Sequence, residues 1–175
     1  MPTQALSPQQ DGFWQGWSSI VGGATFAYSA VSDNTDATYI VLPKLSGNLG
    51  RASFPLFLMA DGQIPSSIQI SVRMRRDGAS AATVMVGFST RGGLVGFDVG
   101  TDSPGASVSL FTHTFNTNPI TGIAWDAADL DGLEACISRE AATLGAARIM
   151  NISGVLTYSQ MRAWRGTSAH SAQLG

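Results

Sequence analysis

At 175 residues the chain is sized for one hydrophobic core, and its formal net charge is −2. Charged residues make up 13% of it, against roughly 25% for an average globular domain, while hydrophobic residues make up 44%. Basic residues gather only at Arg73, Arg75 and Arg76, which disfavours a nucleic-acid partner; no run nears the about 20 apolar residues of a membrane span; and the single cysteine, Cys136, excludes an intrachain disulfide or a cysteine zinc site.

Residues 1–18 combine Pro2, Pro8 and several glutamines with Trp14 and Trp17, a composition that predicts an extended arm with two large anchors. Met1–Gln10 has no basic or apolar region of the kind a secretory signal requires, so the expectation is a protein made and kept in the cytoplasm until it is assembled. From Thr25 onward the apolar residues recur at every second position, broken about every ten residues by Gly, Asp, Asn or Pro. That pattern predicts strands over Thr25–Val31, Thr38–Leu42, Ser53–Met59, Ile68–Arg76, Thr83–Phe88, Leu94–Val99, Val108–Phe115, Leu133–Ser138 and Ile149–Tyr158. Ile68, Ile70, Val72 and Met74 fall on one face, with Gln69, Ser71, Arg73 and Arg75 on the other, as in an antiparallel sheet with one wet side. Asp77-Gly78 then marks a hairpin turn.

In the last strand Met150, Ile152, Gly154, Leu156 and Tyr158 are expected to share a face. One short helix is expected within Trp125–Leu133, where Asp126 can cap the first orphan N–H groups and Asp129 adds favourable negative charge. The fold class is therefore all-β, an antiparallel, jelly-roll-like β-sandwich over residues 19–158, with extended arms at 1–18 and 159–175. The second arm carries Arg162, Trp164 and Arg165.

Few residues suit catalysis. Of the two histidines, His113 alternates onto the face of Phe111 and Phe115, as a core-edge or interface residue would, and His170 lies in a polar tail. Glu134 and Glu140, the only glutamates, do not sit in an alternating strand with exposed aromatics, as a glycosidase pair on a sandwich would. Asp33-Asn34-Thr35-Asp36 and Asp126–Asp131 concentrate oxygen ligands, yet neither has calcium-loop spacing and both read as turn or capping chemistry. Gly92-Gly93-Leu94-Val95-Gly96 lacks the lysine of a phosphate loop. No enzyme, metal or cofactor is expected.

A charge-poor surface is cheap to desolvate, which suits a chain that lives against copies or partners, although a small-residue β protein could share the composition. Nine of the ten cations are arginines, Lys44 being the exception, and arginine tolerates interfaces because its guanidinium is weakly hydrated; a GC-rich genome would give the same skew.

The run Asn118-Pro119 through Gly122, Trp125, Asp129 and Leu133 resembles β-sandwich proteins of tailed-bacteriophage virions, in which a proline-glycine turn leads to a tryptophan, an Ala-Asp-Leu turn and a strand. Thr38-Tyr39-Ile40 and Gly154-Val155-Leu156-Thr157-Tyr158 are similar to the opening and closing strands of those domains, so the likeness spans about residues 25–158. The resemblance implies a capsid decoration (cement) protein on the virion surface, a homotrimer bridging major capsid subunits. Partner contacts would then come from Trp14, Trp17, Arg73, Arg75, Arg162, Trp164 and Arg165. The alternative is a tail or fibre module that binds host-surface carbohydrate, with Trp14 and Trp17 as stacking platforms.

Overall fold

In the computed structural model, which describes residues 1–33, 35–43, 51–55, 63–91, 93–97, 100–140 and 144–160, two antiparallel sheets pack face to face. The strands are β1 (Thr3–Leu6), β2 (Ser19–Val21), β3 (Tyr39–Leu42), β4 (Arg51–Pro55), β5 (Gln63–Asp77), β6 (Val84–Thr90), β7 (Val95–Phe97), β8 (Ser109–Phe115), β9 (Leu133–Arg139) and β10 (Ala146–Gln160). The larger sheet runs β2-β3-β10-β5-β8, with β1 also against β10, and the smaller runs β4-β9-β6-β7. The expected all-β sandwich is the observed architecture.

The long β5–β10 ladder sets the larger sheet. Ile68, Ile70, Val72 and Met74 stand opposite Leu156, Gly154, Ile152 and Ile149, and all four β5 side chains are fully buried. Their alternates Gln69, Ser71 and Arg73 line the outer face beside Thr114, Thr112 and Leu110 of β8. From the smaller sheet Ala52, Phe54, Val84, Val86, Phe88, Ala135 and Ile137 complete the core.

Two expectations in this sheet are corrected. Thr25–Val31 is not a strand: it holds a one-turn helix, α1 (Ala27–Ala30). The buried residues there are Ala27, Ala30 and Val31, a helical spacing of three and four that a period-two reading passes over. In β10 the pairing skips a residue between Ile149 and Asn151, so Met150 is a bulge residue and the core face is Ile149, Ile152, Gly154 and Leu156. Met150 is buried but does not join the main core. A second shift between Thr157 and Tyr158 moves Tyr158 out of that register, although it still packs against the core.

One edge of β10 is shared between two strands. β3 pairs with Ala147–Ile149 and β1 with Gly154–Thr157, and between them the Val31 carbonyl accepts from Ile152 N–H at 2.8 Å. Asn151, also buried, donates its amide to the same carbonyl. The α1 turn thus closes the gap in the sheet edge.

The end of the sandwich is plugged by Trp125. It is 5% exposed, lies edge-on to Phe88 with centroids 5.5 Å apart, and donates Nε1–H to the Phe115 carbonyl at 2.9 Å. The following turn is a 3-10 helix at Ala128–Leu130. Asp129 N–H donates to Asp126 Oδ1 at 3.0 Å and Asp126 N–H to Asp129 Oδ2 at 2.9 Å, a reciprocal cap of the expected kind. Replacing Trp125 by alanine should cost about 3–5 kcal/mol, the range for deleting a buried large aromatic. Denaturant titration of the two proteins checks this, and a loss below about 1 kcal/mol would show that the ring is not a plug.

Candidate functional site

The register of the smaller sheet decides which side chains meet on its outer face. Three rows cross the strands there: Arg51, Ser138 and Met85; then Ser53, Cys136, Gly87 and Phe97; then Pro55, Glu134, Ser89 and Val95. Gly87 has to be glycine, because a Cβ would lie 2.1 Å from the Gly96 carbonyl. Small residues at the centre make the middle of this face a polar trough that the protein itself fills: Ser53, Cys136 and Ser89 are fully buried, and Glu134 and Ser138 nearly so.

The chain's own residues 9–16 lie along β4 and cover this floor. Gln9 N–H donates to the Pro55 carbonyl at 3.1 Å, Gly12 to Ser53 at 2.8 Å and Gly16 to Arg51 at 2.7 Å, while Ser53 N–H donates to the Trp14 carbonyl at 2.9 Å. Glu134, 3% exposed, is the anchor beneath them. Its Oε2 accepts from Phe13 N–H at 2.8 Å and from the Ser53 hydroxyl at 2.5 Å, and Ser53 Oγ in turn accepts from Trp14 N–H at 3.0 Å. A buried carboxylate survives only with such donors.

Above the floor stand three rings and one cation. Phe13 and Trp14 meet edge to face at 5.1 Å, and the Arg51 guanidinium carbon lies 4.6 Å from the Trp14 ring centre and 5.5 Å from that of Phe97. Phe13 is 51% exposed, and its ring reaches Gly93, where a Cβ would be 3.0 Å away and φ is +84°. Trp14, Arg51 and Phe97 are each half-buried. Arg51 Nε donates weakly to Ser138 Oγ at 3.4 Å, and the Trp14 Nε1–H is buried with no acceptor. Partly exposed rings beside a guanidinium can stack against an apolar ligand face while the guanidinium bonds its polar rim. Nucleophilic chemistry is not what Cys136 offers: burial pushes its thiol up to about 12, outweighing the opposite pulls of Arg51 and Ser89.

The residues singled out from the sequence do not form one surface. Trp14 is in the trough. Trp17 stacks on Phe54 at 6.2 Å and packs against the core, so it is a lid residue and not a platform. Arg73 lies on the outer face of the other sheet in an ion pair with Asp36 at 2.7 Å, and Arg75 stands opposite Arg148 in that sheet. Arg162, Trp164 and Arg165 lie outside the described residues. Residues 1–18, expected as an arm for another subunit, lie on the chain's own two sheets. His113 is a core-edge residue, paired with Asp102 at 2.8 Å. In the first aspartate-rich segment Asp33 accepts from Thr35 N–H at 3.0 Å, and no group of three potential metal ligands occurs among the described residues. Phe13, Arg51, Phe97 and Glu134 were not predicted; the one signal in sequence is an adjacent aromatic pair flanked by Gly12 and Gly16.

No family model matches the chain, and no curated protein matches it in sequence. Several solved structures share its fold. The CBM22-1–GH10 modules of Clostridium thermocellum endo-1,4-β-D-xylanase 10B, complexed with xylohexaose, match at TM-score 0.50 and 10% identity over 90% of this chain and 29% of that one. A family 16 carbohydrate-binding module matches at TM-score 0.45 and 9% identity over 86% and 90% of the two chains. The CBM22-1 xylan-binding domain of Paenibacillus barcinonensis matches at 0.43 and 10% over 87% and 97%. The chain spans under a third of the xylanase it matches. At 10% identity the likeness to the xylanase modules shows the β-sandwich fold alone.

Two outcomes follow from the trough. A Cβ on Gly12 would lie 2.4 Å from Glu134 Oε2 and 2.6 Å from the Ser53 carbonyl, so Gly12→Ala should displace residues 9–16 at a cost of about 1–3 kcal/mol. Limited proteolysis would then cut the variant near its N-terminus well before the wild type. For Cys136, a folded-state value raised from 9.0 to about 12 stabilises the fold fully below 9 and loses that contribution as the pH rises toward 12. Stability measured from pH 8 to 11 should therefore fall less in Cys136→Ser than in the wild type; equal slopes would mean the thiol is not buried as described.

Proposed function

We propose that the chain is a non-catalytic carbohydrate-binding domain whose sugar-contacting surface is the cluster of Phe13, Trp14, Arg51 and Phe97. The observation that carries this reading is the assembly of rings and guanidinium over a polar trough on the outer face of the smaller sheet. A sugar ring offers C–H groups on its faces and hydroxyls around its rim. An aromatic side chain matches the first, and a planar fork of N–H donors matches the second. The xylanase modules that share this fold are a complex with xylohexaose, which makes that oligosaccharide the first probe. The match covers 29% of that chain.

This is the second of the two readings the sequence supports. Decoration of a capsid as a homotrimer, and a place on the virion surface, rest on the resemblance alone. The structures with this fold reported above are carbohydrate-binding modules, and they support the sugar reading instead.

The test is gel retardation in a panel of soluble xylan, mannan and β-glucan, followed by titration calorimetry with xylohexaose and the oligosaccharide of any polymer that retards. At least one polymer should slow the wild type, and Trp14→Ala should weaken that binding about tenfold or more, the scale of one lost stacking contact. Unchanged mobility of the wild type in every gel would refute the assignment.

A further inference from the structure

We infer that the sugar bound at this site is an acidic one, a uronate-bearing glycan whose carboxylate is received by Arg51; this rests on the carbohydrate reading above. The cation is the only charged side chain in the cluster of rings, and among the described residues no carboxylate pairs with it. Glu134 shares its sheet face but is four residue pairs further along β9, where its Oε2 already accepts from Phe13 N–H and Ser53. Among the described residues the one hydrogen bond of the Arg51 side chain is the 3.4 Å bond from Nε to Ser138 Oγ, and both terminal nitrogens are left to face a ligand.

Its position is nonetheless fixed. The guanidinium carbon lies 4.6 Å from the centre of the Trp14 ring and 5.5 Å from that of Phe97, so two rings hold it in place before any ligand arrives. A fork held in place loses little freedom when it bonds, and its geometry matches the two oxygens of a carboxylate. One unpaired positive charge held at a stacking site is complementary to a ligand that is negative and presents paired acceptors. Neutral sugars would leave the charge uncompensated.

The experiment compares hexagalacturonate with its fully methyl-esterified form and with xylohexaose by titration calorimetry on the full chain, at about 20 mM and about 300 mM NaCl. The acid should bind the wild type about tenfold or more tightly than its ester, and the advantage should shrink at the higher salt. In Arg51→Gln the acid-to-ester ratio should fall to about one. Arg51→Lys keeps a charge over the rings without the fork and should give an intermediate ratio, so it decides the matter if the glutamine variant does not fold. Equal affinity for acid and ester in the wild type, or a wild-type ratio in either variant, overturns the inference and leaves the carbohydrate reading standing. Absence of binding to all three sugars and to every polymer of the panel overturns both.

Discussion

β9 is buried on both faces, and the rest of the molecule is arranged around that fact. One face, Leu133, Ala135 and Ile137, joins the core between the sheets. The other presents Glu134, Cys136 and Ser138, which are polar or ionisable and yet at most 4% exposed. A sheet face of that composition would ordinarily be left wet. Here the chain's own residues 9–16 cover it, so the buried polar groups need partners from the covering segment itself. That requirement puts Phe13 and Trp14 where they are, because the Phe13 and Trp14 amides are the donors that reach Glu134 and Ser53.

The energetics of this arrangement are a near-balance. Burying a carboxylate costs several kcal/mol, and charge-assisted bonds return about 1.5–3 kcal/mol each, of which Glu134 has two. The carboxylate therefore contributes little net stability and mainly fixes where the segment sits. Attachment comes from the backbone bonds along β4 and from the burial of Trp17 on Phe54. A covering segment fixed in place but not deeply buried leaves Phe13 half in solvent at the rim of the trough. That is where a ligand would meet it.

Much of the framework was legible in sequence because β5 alternates without interruption: one face is wholly apolar and the other wholly polar over Ile68–Arg75. The Asp126–Asp129 cap and the Trp125 plug were legible for a similar reason, since both depend on residues close together in the chain. The site was not, because its members come from four places, and only the pairing of β4, β9, β6 and β7 brings Arg51, Ser138 and Phe97 to one face. Glu134 was passed over on the ground that its strand does not alternate with exposed aromatics. It does not alternate because both faces are covered, and the aromatics that cover it lie some 120 residues earlier, with 121 separating Phe13 from Glu134.

Trp14 and Trp17 show how far a local reading carries. As a pair of large anchors in a polar segment they look equivalent, and the sequence assigns both to a partner. In an extended chain, residues separated by an odd number point to opposite sides, so a spacing of three divides their roles. Trp17 turns inward to stack on Phe54, and Trp14 turns outward under Arg51. The segment is therefore a wall of the sandwich and part of its binding surface at once. Removing it would take away core packing together with the rings over the trough, and the two losses would be read as one. Only substitution at Trp14 separates them, since its ring touches Phe13 and Arg51 and the core is sealed without it.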